Sequence, residues 1–166
     1  MILEVGLIQN IKAKKIVLFE DFAKEFLQKK LTFAIELKDE GMEKEVFDII
    51  KKYATHDNIY IASFNYKALE NMRKIDSNIK LSWLIEEKIN RNNINKLLKI
   101  NGTQICPKAD NVTKSDIELA NKNGVKVRLW GISNEKIMEN VYNLNIDGMT
   151  VNFPDKLKHL MEINKK

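Results

Sequence analysis

Short runs of β-branched and apolar residues alternate along this chain with stretches of helical periodicity. Each run follows a segment in which apolar residues recur three or four positions apart, as they do on one face of an amphipathic helix. The chain is therefore predicted to alternate strand and helix throughout. Six strands are predicted, at Thr32–Leu37, Ile59–Phe64, Lys80–Ile85, Thr103–Cys106, Val125–Trp130 and Gly148–Val151.

The helical segments present apolar faces that indicate helices covering a sheet. Among the predicted faces are Met42, Val46, Ile49 and Tyr53 in one segment, and Ile94, Leu97 and Leu98 in another.

Several helix ends are marked by capping residues. Thr113 with Asp116 three residues later predicts a capping box, and Gly124 stands where a C-terminal glycine belongs. Ser133 is predicted to cap the helix that carries Ile137.

The repeated strand–helix units predict an α/β protein with a parallel sheet. Six consecutive units fit part of a TIM-barrel-like (β/α)₈ architecture, which we predict as one partial domain over residues 1–166. A doubly wound open sheet is the alternative, but no strand is followed by a Gly-x-Gly-x-x-Gly or Gly-x-x-x-x-Gly-Lys loop.

In a barrel of this kind, chemistry gathers at the carboxyl ends of the strands. The residues predicted at those ends are Glu36, Lys38, Ser63, Phe64, Cys106, Lys108, Trp130 and Asn152. Strand alternation places Glu36 and Lys38 on one face. Two interpretations stay open for them: a water-exposed ion pair at an edge strand, or part of a functional site.

The amino-acid composition limits the size of the fold, the cellular location and the roles open to cysteine. The 166 residues, 44% of them hydrophobic, fit a single core. Without a long apolar run or a signal-peptide pattern at the N-terminus, we expect a cytoplasmic protein. The only cysteine, Cys106, excludes an intrachain disulfide and is expected to be a buried structural thiol.

The net charge of +5 comes mainly from lysines scattered over the predicted helices, since only Arg73, Arg91 and Arg128 are arginines. No basic cluster with interleaved aromatic residues is present, so we expect no nucleic-acid partner. Weak contact with an anionic membrane remains open.

Four motifs occur in order: Phe33-Ala-Ile-Glu-Leu-Lys38, Ile61-Ala-Ser-Phe64, Gly124-Val-Lys-Val-Arg-Leu-Trp130 and Ile146-Asp-Gly-Met-Thr-Val-Asn-Phe-Pro154. This order resembles the glycerophosphodiester phosphodiesterase family over nearly the whole chain. The resemblance implies a (β/α)₈ barrel that hydrolyses glycerophosphodiesters to glycerol 3-phosphate and an alcohol with a divalent cation.

The resemblance also implies roles for individual residues. Glu36 would be a ligand of Mg²⁺ or Ca²⁺, and Lys38 would be a catalytic residue beside the phosphate. Ser63, Phe64 and Trp130 would line the substrate pocket, which would hold a glycerophosphodiester or another phosphate-bearing small molecule.

Parts of the family pattern are absent from the chain. It has no His-Arg-Gly strand and no Glu-x-Asp strand, and Glu4 in the strand-like segment Ile2–Ile8 is a poor substitute. Neither His56 nor His159 occupies a catalytic position of the pattern. We therefore expect the chain to match barrel strands three to eight, to be truncated and to be inactive alone.

A barrel without its first two strands would have two open edges. We therefore expect self-association or a second chain that covers them. Two alternatives follow for function: a non-catalytic module that binds phosphate or lipid head groups, or half of an enzyme completed by a second chain.

Overall fold

The structure, a computed structural model, describes residues 16–54 and 56–164. The described residues form two compact units, one ending at Lys80 and the other beginning at Leu81. The segment Ile2–Ile8, with Glu4, lies outside the described residues. None of the helices in the described part of the chain has the length and apolarity needed to cross a membrane.

The described residues of the first unit include three α-helices and two parallel strands. Strand β1 pairs with β2 so that Phe33 lies opposite Ile59 and Glu36 opposite Ala62. The elements, in chain order, are α1 (Phe19–Phe26), β1 (Phe33–Glu36), α2 (Glu43–Tyr53), a short 3₁₀ turn (His56–Asn58), β2 (Ile59–Ser63) and α3 (Tyr66–Ile75).

The second unit repeats the same alternation, and its strands pair in parallel in chain order. Strand β3 begins at the boundary between the units. The elements are β3 (Lys80–Ile85), α4 (Arg91–Lys99), β4 (Gln104–Pro107), α5 (Lys114–Lys122), β5 (Lys126–Ile132), α6 (Glu135–Tyr142), β6 (Gly148–Val151) and α7 (Pro154–Ile163), with a 3₁₀ turn at Ala109–Asn111.

The predicted alternation of strand and helix is confirmed. Two strands, Lys80–Ile85 and Gly148–Val151, have the predicted bounds, and the other four differ by no more than two residues at either end. The capping box of Thr113 and Asp116 is also confirmed, and Gly124 follows α5 with a positive φ of 71°.

Strand β5 shows how the sequence pattern separates two sheet faces. Val127 and Leu129 are fully buried, whereas Arg128 and Trp130 between and after them are half-buried. Burying an aliphatic side chain stabilises a fold by about 1.5–3 kcal/mol. One face of β5 therefore belongs to the apolar core, and the other carries the polar chemistry described below.

Two helix predictions are wrong. Ser133 does not cap α6, because its neighbour Asn134 accepts a hydrogen bond from the Ile137 N–H at 3.0 Å. Leu98 is 40% exposed, because α4 buries Asn93, Ile94 and Leu97 instead.

The buried face of α2 also differs from the predicted one. Val46 is buried as expected, but the face continues through Glu43, Phe47 and Ile50. Glu43 is tolerated inside because its carboxylate accepts hydrogen bonds from the Gly41 N–H at 2.8 Å and from the Asn71 side chain at 3.3 Å. These bonds provide partners for the carboxylate at the start of α2.

Candidate functional site

The carboxyl end of β1 carries the charge pair singled out by the sequence. Alternation turns the Glu36 side chain away from the buried Ile35 and Leu37. Lys38 Nζ donates a hydrogen bond to Glu36 Oε1 at 2.8 Å. The Lys38 side chain is 70% exposed and that of Glu36 is 32% exposed. The geometry is that of a solvent-accessible ion pair, and a role in metal or phosphate binding stays a prediction.

Ser63, the last residue of β2, connects the ends of the first two strands. Its hydroxyl donates to the carbonyl oxygen of Leu37 at 2.7 Å and accepts from the Asn65 N–H at 3.0 Å. Ser63 is fully buried, whereas the following Phe64 is 43% exposed. The Ser63 hydroxyl therefore holds the backbone directly before Lys38, and the predicted contact of Ser63 or Phe64 with a substrate stays a prediction.

The Trp130 side chain forms hydrogen bonds with the ends of neighbouring strands in the second unit. Its indole N–H donates to the carbonyl oxygens of Ile85 at 3.2 Å and Cys106 at 3.0 Å. These carbonyls belong to β3 and β4, so the indole of β5 links three neighbouring strands near their carboxyl ends. Trp130 as a whole is half-buried. Its predicted role in a substrate pocket is untested by these contacts.

Next to Trp130, the backbone turns at Gly131 with a positive φ of 75°. The positive φ favours glycine, and a Cβ atom at this position would lie 3.0 Å from Lys108 Cγ, so that side chain would have to shift slightly. The ammonium group of Lys108 lies 3.6 Å from Asp110. The side chain of Lys108 therefore packs across the irregular end of β5.

A polar network on the sheet of the second unit was not predicted. Gln104 Oε1 accepts hydrogen bonds from Ser82 Oγ at 2.8 Å and from Arg128 Nε at 3.3 Å. Arg128 Nη1 in turn donates to Thr150 Oγ1 at 2.7 Å. One residue from each of four consecutive strands thus joins a single network. In the sequence, these residues are recognisable only as polar positions within strands that are otherwise largely apolar.

Cys106 borders this network and is fully buried, as predicted. Its Sγ lies 3.7 Å from Gln104 Oε1, within the range of a weak sulfur hydrogen bond. Burial raises the pKa of the Cys106 thiol to about 11, although the nearby positive charge of Arg128 acts in the opposite direction. The thiol is thus held in its protonated, unreactive form at neutral pH.

The described residues do not by themselves fit a divalent cation. No group of three histidine, cysteine, aspartate or glutamate side chains able to hold a metal is found in the described ranges. Glu36 supplies one carboxylate, and that carboxylate already faces the Lys38 ammonium. His159 lies exposed on α7.

Known proteins resemble this chain in sequence and in fold. A glycerophosphodiester phosphodiesterase of Caldanaerobacter subterraneus subsp. tengcongensis is 25% identical over 121 residues, which are 73% of this chain and 49% of that protein. The crystal structure of a glycerophosphodiester phosphodiesterase from Parabacteroides distasonis has a TM-score of 0.76 and 16% identity, and the match covers 92% of this chain and 67% of that one.

A third match is a phosphodiesterase from Oleispira antarctica, solved in complex with its product sn-glycerol-3-phosphate. It has a TM-score of 0.70 and 20% identity, over 79% of this chain and 55% of that one. The chain thus spans between about half and three-fifths of the length of the curated relatives it matches. Its fold is the predicted one, with TIM-barrel-like β/α repeats.

The family assignment rests on sequence as well as fold. The sequence profile of the glycerophosphoryl diester phosphodiesterase family matches residues 9–156, which is most of the chain. That range includes all four ordered motifs on which the resemblance was based. The chain belongs to the glycerophosphoryl diester phosphodiesterase family.

Proposed function

We propose that this chain carries the phosphate-recognition part of a glycerophosphodiester site, with Lys38 as the residue that contacts the phosphate. The observation that supports this most directly is the pairing of Lys38 with Glu36 at a strand end, in a chain of this family. The Oleispira antarctica relative is described with bound sn-glycerol-3-phosphate. The ligand proposed for this chain is of the same class, a phosphate ester of glycerol.

The chemistry of Lys38 suits this role. Its ammonium group is largely exposed and has one described ionic partner, Glu36. A phosphate dianion carries more negative charge than one carboxylate, so it competes well for an ammonium group in water. A fixed cation at this place would stabilise charge that develops on the non-bridging oxygens during hydrolysis.

We propose that the chain alone binds this ligand without hydrolysing it at an enzymatic rate. The family resemblance implies Mg²⁺ or Ca²⁺, but the described residues offer one carboxylate where such cations take several oxygen ligands. No histidine of the chain lies in the family's His-Arg-Gly pattern. Hydrolysis would then need further residues, which a second chain of different sequence could supply.

Calorimetric titration with glycerol 3-phosphate tests the binding role. We expect a dissociation constant in the range of about 1 mM, typical of one or two ionic contacts. Lys38→Ala should weaken binding about tenfold, because a charge-assisted hydrogen bond is lost. Lys44→Ala is the matched control, since Lys44 is also an exposed lysine paired with one carboxylate, Asp48. Equal affinity in Lys38→Ala and wild type would contradict the proposal.

A separate assay tests hydrolysis. Release of glycerol 3-phosphate from glycerophosphocholine is measured with added Mg²⁺ or Ca²⁺, together with the molecular mass by light scattering. We expect no turnover from a monomer. Turnover near the usual enzyme range of about 1 to 10³ s⁻¹ would show that the chain is a working enzyme. Because a second copy lacks the same residues, we expect a self-associated form to be inactive as well.

A further inference from the structure

Arg128 is held in a fixed position on the polar face of the second unit. Its Nε donates to Gln104 Oε1 at 3.3 Å, and its Nη1 donates to Thr150 Oγ1 at 2.7 Å. Gln104 is itself buried and bonded to Ser82, so the acceptor that orients the guanidinium is well anchored. Two contacts on different nitrogens fix both the position and the plane of the group.

The charge of Arg128 has no acidic partner in the parts of the chain that the structure describes. Its hydrogen-bond acceptors are an amide, a hydroxyl and the Cys106 thiol, all of them neutral. Arg128 is half-buried, and partial removal of an unpaired charge from water is unfavourable. The fold thus positions a positive charge without neutralising it, which is the electrostatic condition for binding an anion.

The donors that remain on Arg128 define what kind of anion fits. A guanidinium has five N–H donors, and the contacts with Gln104, Thr150 and the Cys106 thiol leave two of them available. Thr150 accepts from Arg128, so its own hydroxyl proton is available to donate to a ligand. Thr150 is exposed, which leaves this side of the group accessible.

We propose that Arg128 and Thr150 form a binding site for a phosphate group, either inorganic phosphate or a phosphate monoester. Arginine forks bind phosphate oxygens in pairs, and the Thr150 hydroxyl can reach a third oxygen of a tetrahedral anion. Lys126, exposed and two residues before Arg128 on the same strand face, adds positive potential. This site lies in the second unit and does not depend on the role proposed for Lys38 in the first.

Nuclear magnetic resonance of the arginine Nε–H groups tests the proposal directly. The chain has only three arginines, so the signals of Arg73, Arg91 and Arg128 are assigned by single substitutions. Inorganic phosphate is titrated at constant ionic strength against sodium chloride. We expect a saturable shift of the Arg128 signal with a dissociation constant on the order of 1 mM, and no comparable shift of Arg91.

Variants separate this site from the one proposed at Lys38. Arg128→Gln should abolish the saturable phosphate response, and Thr150→Val should weaken it severalfold. Arg91→Gln, which removes an exposed arginine on α4, is the matched control and should behave as wild type. The response should persist in Lys38→Ala, so the two proposals succeed or fail independently.

The titration of the wild-type protein tests phosphate binding at Arg128 even if the Arg128→Gln variant does not fold. A shift of the Arg128 signal that is absent, does not saturate, or occurs equally with chloride would overturn the proposal. Loss of the response in Lys38→Ala would likewise overturn it, because the phosphate would then be bound elsewhere.

Discussion

The two units of this protein handle charge in different ways. In the first, Glu36 and Lys38 are two residues apart and neutralise each other in contact with water. In the second, the charge of Arg128 is held by neutral side chains from two other strands, next to a fully buried serine. The first arrangement is local in sequence, whereas the second exists only once four strands are in register.

The charged residues that are easiest to identify in the sequence are not those expected to stabilise the fold most. Exposed ion pairs contribute about 0–1 kcal/mol, because water screens them and the long side chains lose rotational freedom. The stability of the fold is more sensitive to a buried hydrogen-bond network, because removing one side chain leaves the others without partners. The pair that the sequence shows most clearly is therefore expected to contribute least to stability.

The largest effect is expected from Gln104→Leu, which removes the acceptor shared by Ser82 and Arg128. Leucine keeps a similar volume but leaves a hydroxyl and a guanidinium N–H without their partner. We expect a loss of about 3 kcal/mol in the free energy of unfolding, measured by urea denaturation. Gln28→Leu, at an exposed turn after α1, is the control and should change stability little. Equal effects of the two substitutions would show that the network has no special weight.

A somewhat smaller effect is expected from ionisation of Cys106. Because the pKa of the buried thiol is raised from 9.0 to about 11, the native state binds this proton more tightly than the unfolded state. The resulting stability is fully present below pH 9 and is lost as the pH rises towards 11. The loss amounts to about 2 kcal/mol at pH 11. Urea denaturation between pH 8 and 11 should show this decline in wild type and a shallower one in Cys106→Ala, since only the thiol contribution is removed.

How far the sequence predicts this structure depends on how local each feature is. Thr113 and Asp116 were identified because a capping box is complete within four residues. The prediction that Ser133 caps α6 was wrong because the adjacent Asn134 can also cap a helix. Strand β5 continues to Ile132, so α6 begins later and Asn134 takes the capping position.

The same distinction applies to the candidate sites. Glu36 and Lys38 were predicted to share a face, and their side chains form an ion pair although β1 ends at Glu36. The network of Gln104, Arg128 and Thr150 depends on which residues lie side by side on three different strands. Register between strands more than 20 residues apart is not contained in any local pattern, so that network required the structure.

The smallest effect on stability, and the sharpest test of the comparison, is expected from Glu36→Gln. Since the ion pair with Lys38 is exposed, the free energy of unfolding should change by less than about 0.5 kcal/mol. Salt should screen whatever the pair contributes, so the difference between wild type and variant should shrink at high ionic strength. Loss of more than about 1 kcal/mol would show that the pair supports the fold as the second unit's network does.

The same variant also separates the two interpretations of Glu36. If Glu36 serves only as the counter-ion of Lys38, its removal frees the ammonium group, and the affinity for glycerol 3-phosphate without metal should rise by about two- to fivefold. If Glu36 instead helps to hold a cation that bridges to the phosphate, affinity in the presence of Mg²⁺ or Ca²⁺ should fall in Glu36→Gln while metal-free affinity does not. Titrations of wild type and Glu36→Gln with and without the cation therefore measure both roles in one experiment. A rise that is unaffected by the metal would assign Glu36 to charge balance, the simplest function of an exposed pair.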